Sequence, residues 1–260
     1  MTNPHGTPIW YELATSDADA ASAFYAEIVG WTIEPRPPGD MDYRMIAVAE
    51  GDNAGAIAGI GAGTPAAAAT PGWRFYIGVD DVDATAAAIV DAGGSIAIQP
   101  FDLPGVGRMA LAADPQGIAF FVMRGASPED SHAWDRSAMG KCNWNELATP
   151  DHAAANTFYG RVFGWTYPDR MAMPGEMGDY VFIDAAGQSI GASMQTAPGA
   201  PAGWTFYFRV ADIEAAAASM TRLGGTIHMG PHEVPGGDRV IVASDPEGLM
   251  FGLVGAGTGA

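Results

Sequence analysis

The sequence predicts an α+β protein of two tandem domains, each built from two paired β-α-β-β-β units. Three observations carry that prediction. At 260 residues the chain exceeds the roughly 100 to 150 of one ordinary domain. It says nearly the same thing twice, in "IWYELATSDADAASAFYAEIVGW" and "NWNELATPDHAAANTFYGRVFGW". Within each copy, a strand-like run, an apolar helical pattern and several short strand-like runs follow one another twice.

The first-strand runs are "PIWYELA" and, in the second copy, "NWNELA". Thr15, or Thr149 followed by Pro150, is the expected cap of the next helix, which stops at Gly30 or Gly164 because glycine takes the left-handed conformation a helix end uses. Strands are expected around "DYRMIAVA" and "DYVFIDA", and after Gly55 and Gly191. The second round opens with "WRFYIGV" or "WTFYFRV". It runs through an Ala-rich helix to Gly93-Gly94 or Gly224-Gly225 and closes with three strands, the last two joined by the turns "ADPQG" and "SDPEG".

The copies align by Trp10 with Trp144 and Glu12 with Glu146 at an offset of 134, and by Arg108 with Arg239 and Asp114-Pro115 with Asp245-Pro246 at 131. Because the offset changes only between matched blocks, insertions fall in loops. The expected boundaries are 1–124 for the first domain, 125–140 for a linker and 141–260 for the second domain, with Trp134 docking the linker as a packed strap.

Twelve Lys and Arg against 30 Asp and Glu give a formal net charge of −18, a field that repels phosphate backbones and anionic lipid. The expected partner is therefore a small molecule, with no nucleic acid and no membrane. The single cysteine, Cys142, forms no intrachain disulfide and reads as a small buried residue. "MTNPHGTPIW" has no basic and apolar leader pattern, so the chain reads as soluble and cytoplasmic.

This order of elements has Phe-Tyr and Gly-Trp bracketing the first helix, Gly-Gly closing the second and Asp-Pro-x-Gly before the last strand. It resembles the vicinal oxygen chelate superfamily of glyoxalase I, bleomycin-resistance proteins, fosfomycin-resistance enzymes and extradiol dioxygenases. The duplicated form is similar to a two-domain subgroup that includes a mycobacterial culture-filtrate antigen. The resemblance implies glyoxalase-like domains whose paired units form a cup-shaped mixed sheet. It also implies a monomer with pseudo-dimeric domains or a homodimer, and in catalytic members a divalent metal.

Carried over position by position, the family's metal ligands fall on Trp10 and Trp144, on Arg74 and Thr205, and on Phe121 and Gly252. None is a usual ligand of a divalent cation. Strand parity instead lines the cups with Trp10, Glu12, Arg74, Tyr76, Phe121 and Met123, and with Trp144, Glu146, Thr205, Tyr207, Arg209 and Gly252.

The leading expectation is thus a protein that binds a small, partly aromatic molecule, with no cofactor. A metal-dependent lyase or dioxygenase and a non-catalytic interaction module are the alternatives. Glu12 and Glu146 are the candidate acid-base residues, Tyr76 and Tyr207 candidate hydrogen-bond donors, and Arg108 and Arg239 candidate partners of the two carboxylates. His228 and His232, separated by Gly and Pro, read as solvated loop residues. His152 reads as a solvent-facing helix residue. "GIGAGTPAAAATPG" reads as a loop able to cover a cup mouth, and Met171, Met173 and Met177 as adaptable packing.

Overall fold

A computed structural model of the chain describes residues 3–48, 51–59, 70–173, 178–196, 199 and 201–257. The loop within "GIGAGTPAAAATPG" (60–69) and Met177 lie outside them. The first repeat contains β1 (Pro8–Thr15), α1 (Ala18–Val29), β2 (Thr32–Ile33), β3 (Tyr43–Ala47) and β4 (Asn53–Gly59), followed by β5 (Gly72–Gly78), α2 (Val82–Asp91), β6 (Ser95–Leu103), β7 (Gly107–Ala113) and β8 (Ala119–Gly125). The second contains β9 (Cys142–Thr149), α3 (His152–Phe163), β10 (Arg170–Ala172), β11 (Asp179–Ala185) and β12 (Gln188–Gln195), followed by β13 (Gly203–Val210), α4 (Ile213–Arg222), β14 (Thr226–Glu233), β15 (Asp238–Ser244) and β16 (Met250–Ala256). Four β-α-β-β-β units are therefore present, in the expected order.

Each repeat forms one eight-stranded mixed sheet, ordered β2-β3-β4-β1-β5-β8-β7-β6 in the first and β10-β11-β12-β9-β13-β16-β15-β14 in the second. The β1–β4 and β9–β12 pairs are parallel and the hairpins antiparallel. Compact packing, however, gathers parts of both repeats. One unit holds Met1–Trp10, Arg74–Ser131 and Trp144–Trp204; the other holds Tyr11–Trp73, His132–Asn143 and Thr205–Ala260.

The core of each unit is aromatic. In the second, Tyr25 stacks on Trp31 at 5.7 Å and meets Trp73 and Phe251 edge-on, while Phe208 packs against both tryptophans. In the first, Tyr159 stacks on Trp165 at 4.9 Å and meets Trp204 edge-on, with Phe120 and Phe163 alongside. The repeated Phe-Tyr, Gly-Trp and Gly-Trp motifs are thus the two halves of one packing solution, used twice.

The first and third helices are capped by Asp17 and Asp151, not by the threonines. Each aspartate accepts from the amide three residues on, Ala20 and Ala154, at 2.9 Å. Thr15 and Thr149 point elsewhere, to Glu247 and Gln116, because their strands have not yet ended. Gly30 and Gly164 close those helices at φ of 82° and 71°.

The linker packs. Trp134 bridges to Cys142, Gly140 and Lys141 exchange backbone hydrogen bonds with Arg209, and Trp31 Nε1–H donates to the Gly140 carbonyl at 2.6 Å.

Candidate functional site

In β9 burial alternates: Asn143, Asn145, Leu147 and Thr149 are buried, whereas Trp144, Glu146 and Ala148 are half-buried. The buried face is the helix side, since Ser193, in register with Leu147, donates its hydroxyl to Asn156 of α3 at 2.7 Å. Trp144 and Glu146 therefore share the opposite face. Glu146 lies beside Ala192, and Ala192 beside Phe182. Tyr180, two residues before Phe182, faces the same way.

These side chains form a hydrogen-bonded chain. Trp144 Nε1–H donates to the Tyr180 oxygen at 2.7 Å, and the Tyr180 hydroxyl donates to Glu146 Oε2 at 2.7 Å. The indole can only donate, so the phenol must accept from it and pass its own proton towards the carboxylate. Phe182 flanks the chain, its ring centre 6.0 Å from Trp144 and 5.8 Å from Tyr180.

The first repeat carries the same pairing in a deeper setting. Arg44 turns to α1, where it binds the Ala18 carbonyl and Asp19, so Tyr43 and Met45 occupy the other face of β3. Met45, Ala56 and Glu12 lie in one row across three strands, and Tyr43 donates to Glu12 Oε2 at 3.0 Å. Glu12 is only 2% exposed, whereas Glu146 is half-buried. The middle strand carries alanine in both rows, Ala56 and Ala192. Strands lie about 4.8 Å apart, so a phenol reaches a carboxylate two strands away only over a small residue.

Sequence reasoning missed Tyr43 and Tyr180. Their signal was the matched Asp-Tyr at 42–43 and 179–180, opening strands already assigned.

The other strands hold the remaining candidates. Tyr76 is in register with Phe121 and stacks on it at 4.4 Å and 7°, both rings buried. Tyr207 is in register with Gly252, and its ring lies where a Cβ at Gly252 would stand. Trp10, Arg74 and Thr205 are half-buried on β1, β5 and β13. Arg209 forms an ion pair with Asp238.

The expectation that Arg108 and Arg239 partner Glu12 and Glu146 gives way. Arg108 forks onto Asp83 at 2.6 and 2.8 Å and reaches Asp102, while Arg239 pairs with Glu214. Asp83 and Glu214 sit in the first turns of α2 and α4, where the helix dipole already favours a carboxylate, so each arginine ties a helix start to the sheet. His228 and His232 lie exposed on β14, a strand instead of a loop, and His228 meets the Ser244 hydroxyl at 2.9 Å. His152, half-buried with Nδ1 enclosed, is less open to solvent than expected.

At the six positions matched to metal ligands stand indole, guanidinium, hydroxyl, phenyl and hydrogen, with Tyr76 lying over Phe121 and Tyr207 over Gly252. A divalent cation needs imidazole nitrogen, carboxylate or carbonyl oxygen, or thiolate, so this set does not fit one there. Among the described residues no three His, Cys, Asp or Glu side chains gather as a metal site, and no helix is long and apolar enough to cross a membrane.

The family model described as the glyoxalase/bleomycin resistance protein/dioxygenase superfamily matches residues 8–122 and again 141–253. CFP32 of Mycobacterium bovis, whose name describes it as a glyoxylase, is 34% identical over 251 residues, covering 96% of this chain and 94% of its own. The anthracycline biosynthesis protein DnrV of Streptomyces peucetius is 30% identical over 264 residues, covering 96% and 93%. Among solved structures, a Mn(II)-bound glyoxalase from Novosphingobium aromaticivorans superposes with a TM-score of 0.63 at 19% identity, covering 97% of this chain and 83% of that one. Homoprotocatechuate 2,3-dioxygenase from Brevibacterium fuscum gives 0.67 at 12% identity, covering 100% and 88%.

Proposed function

The chain belongs to the glyoxalase/bleomycin resistance protein/dioxygenase superfamily, and from that premise we propose that it binds a small, partly aromatic molecule on the helix-free faces of its sheets, without the divalent metal of the family's metal-dependent members. The observation that carries this reading is the residue set at the matched ligand positions: Trp10 and Trp144, Arg74 and Thr205, Phe121 and Gly252. It exchanges metal donors for aromatic surface and space. Aromatic walls with a few placed polar groups are the usual lining of a small-molecule site.

Glu146 and Glu12, each holding a tyrosine hydroxyl, are the groups in this lining able to orient a ligand or exchange a proton with it. A hydrogen bond to a charged group is worth about 1.5–3 kcal/mol, which is enough to fix one ligand orientation over another. The strong negative charge favours cationic or neutral ligands over anionic ones.

The test is elemental analysis of untagged protein purified without chelator and dialysed in turn against Zn, Mn, Fe and Ni. The expected result is no metal above background, together with thermal shifts from aromatic compounds. One tightly held equivalent per chain would overturn the metal-free reading in favour of a lyase or dioxygenase.

A further inference from the structure

The repeats match strand for strand, so the positions at which their side chains part are informative. In the second repeat Arg239 turns to Glu214 of α4 and Phe251 packs on Tyr25 of α1, so the alternate residues of β15 (Asp238 to Ser244) and of β16 (Met250 to Val254) lie on the helix-free face. Met229, Val242, Gly252 and Tyr207 form one row across that face, and His232, Val240, Val254 and Arg209 the next.

The matching rows of the first repeat, at an offset of 131, hold Leu111 and Phe121, then Met109 and Met123. The floor of the second is thus built from smaller residues, with Val for Leu and for both Met, and Gly for Phe. Its surround is built from larger ones: where the first repeat has Ala97, Ala113, Ala119, Gly78 and Gly107, the second has His228, Ser244, Met250, Arg209 and Asp238. The tyrosines do not differ, Tyr76 being 5% exposed and Tyr207 3%. On β15, however, Val240 and Val242 are half-buried, while the longer Met109 and Leu111 of β7 are buried. A low floor inside a raised surround is a recess of the kind that takes a small molecule.

The polar groups of the surround come as contacting pairs. His228 Nε2 meets Ser244 Oγ at 2.9 Å and Arg209 binds Asp238, where the first repeat has two alanines and two glycines. Arg209 and Asp238 cancel one another's charge on this face. The Ser244 hydroxyl either donates to the imidazole or accepts from it, so His228 Nδ1 is correspondingly a donor or an acceptor. Met229 and Met250, 43% and 40% exposed, add thioethers, which pack favourably against aromatic rings.

We propose that the β13–β16–β15–β14 half-sheet seats an uncharged aromatic ring on Val240 and Val242, against the Met229 and Met250 thioethers, with His228 bonding a phenol or ketone oxygen on that ring. Ser244 sets the imidazole for whichever oxygen arrives. This rests on the binding function proposed above, and it adds the half-sheet that acts and the polar group it reads.

Titration of the whole chain, labelled with carbon-13 at its methionine methyls, with 5-indanol, 1-indanone and indane tests it by NMR. The compounds share one skeleton and differ in the oxygen. Met229→Leu and Met250→Leu assign the two resonances. Both resonances are expected to shift saturably with 5-indanol or 1-indanone, and that compound to bind about threefold to tenfold tighter than indane, the ratio one neutral hydrogen bond supplies. His228→Ala, which installs the first-repeat residue, is expected to bring the ratio near one and leave indane binding unchanged, and Ser244→Ala to reduce the ratio.

Saturable binding whose shifts fall on other methionines overturns the location and leaves the binding function standing. Equal affinity for all three compounds overturns the role of His228 and needs no variant to fold; a ratio that survives His228→Ala does the same. Saturable binding of none of them overturns the inference together with the binding function on which it rests.

Discussion

Tyr25 and Tyr159 occupy matched positions, and each lies between an indole and a carboxyl group. Trp73 Nε1–H donates to Tyr25 at 3.0 Å, and Tyr25 donates to Asp245 Oδ2 at 3.1 Å; Trp204, Tyr159 and Asp114 repeat the pattern at 3.3 and 3.4 Å. Burial raises both phenols well above their ordinary value, aided by the adjacent aspartate. Burial likewise raises Asp114 and Asp245, against the lowering effect of turn amides, such as Gln116 and Ile118, or Glu247 and Leu249. A carboxyl whose folded pKa exceeds its unfolded one holds its proton better in the folded state. Its contribution is therefore complete below the unfolded value, near about 4, and is lost as pH rises through the raised value. An Asp114→Asn, Asp245→Asn double variant mimics the protonated form. Its stability relative to the parent, from urea melts, is expected to improve as pH rises above about 4, by about 1.4 kcal/mol per unit of elevation. A pH-independent difference would show that the two carboxyls are ionised without cost.

At the scale of the element, the parallel pairs β1–β4 and β9–β12 approach so closely that Gly55 and Gly191 have no room for a side chain. A Cβ at Gly55 would press into the Tyr11 carbonyl oxygen, and one at Gly191 into that of Asn145. Backbone cannot yield as a flexible side chain can, so Gly191→Ala is expected to cost about 3 kcal/mol, the upper range of overpacking, measured by chemical denaturation. Gly187, in the open turn before β12 at φ of 78°, meets nothing within 4 Å. Gly187→Ala should therefore cost only the left-handed strain of about 1 kcal/mol. The match of Gly55 with Gly191 was visible in the sequence, but its reason was not, because close approach is a property of two strands and not of one.

Across the whole molecule, the compact units cut across the repeats. Tyr25 of the first repeat meets Asp245 of the second, and Tyr159 of the second meets Asp114 of the first. Gln116 likewise serves Thr149 and Asp151, while Glu247 serves Thr15 and Ser16. Residues 141–260 expressed alone would leave the aromatic face of α3 and the turn at Asp245 without these partners. The expectation is a self-associating species in sedimentation velocity, because a second copy can supply both. A stable, cooperatively folding monomer would contradict it.

Element order was legible because each element is a local matter. Apolar spacing, the Gly30 and Gly164 stops and the Asp-Pro-x-Gly turns act within a few residues, and they occur twice. Strand parity, also local, directed attention to Trp144 and Glu146. What the sequence by itself determined was therefore the four β-α-β-β-β units, the family and the side chains offered to each face. Only the tertiary structure decided that Asp17 caps where Thr15 was expected, that Arg108 and Arg239 turn to Asp83 and Glu214, and that Tyr43 and Tyr180 hold the two glutamates. Each of these is a choice among several partners of similar chemistry. Such choices are settled by distances between strands and helices far apart in the chain, which no local pattern encodes.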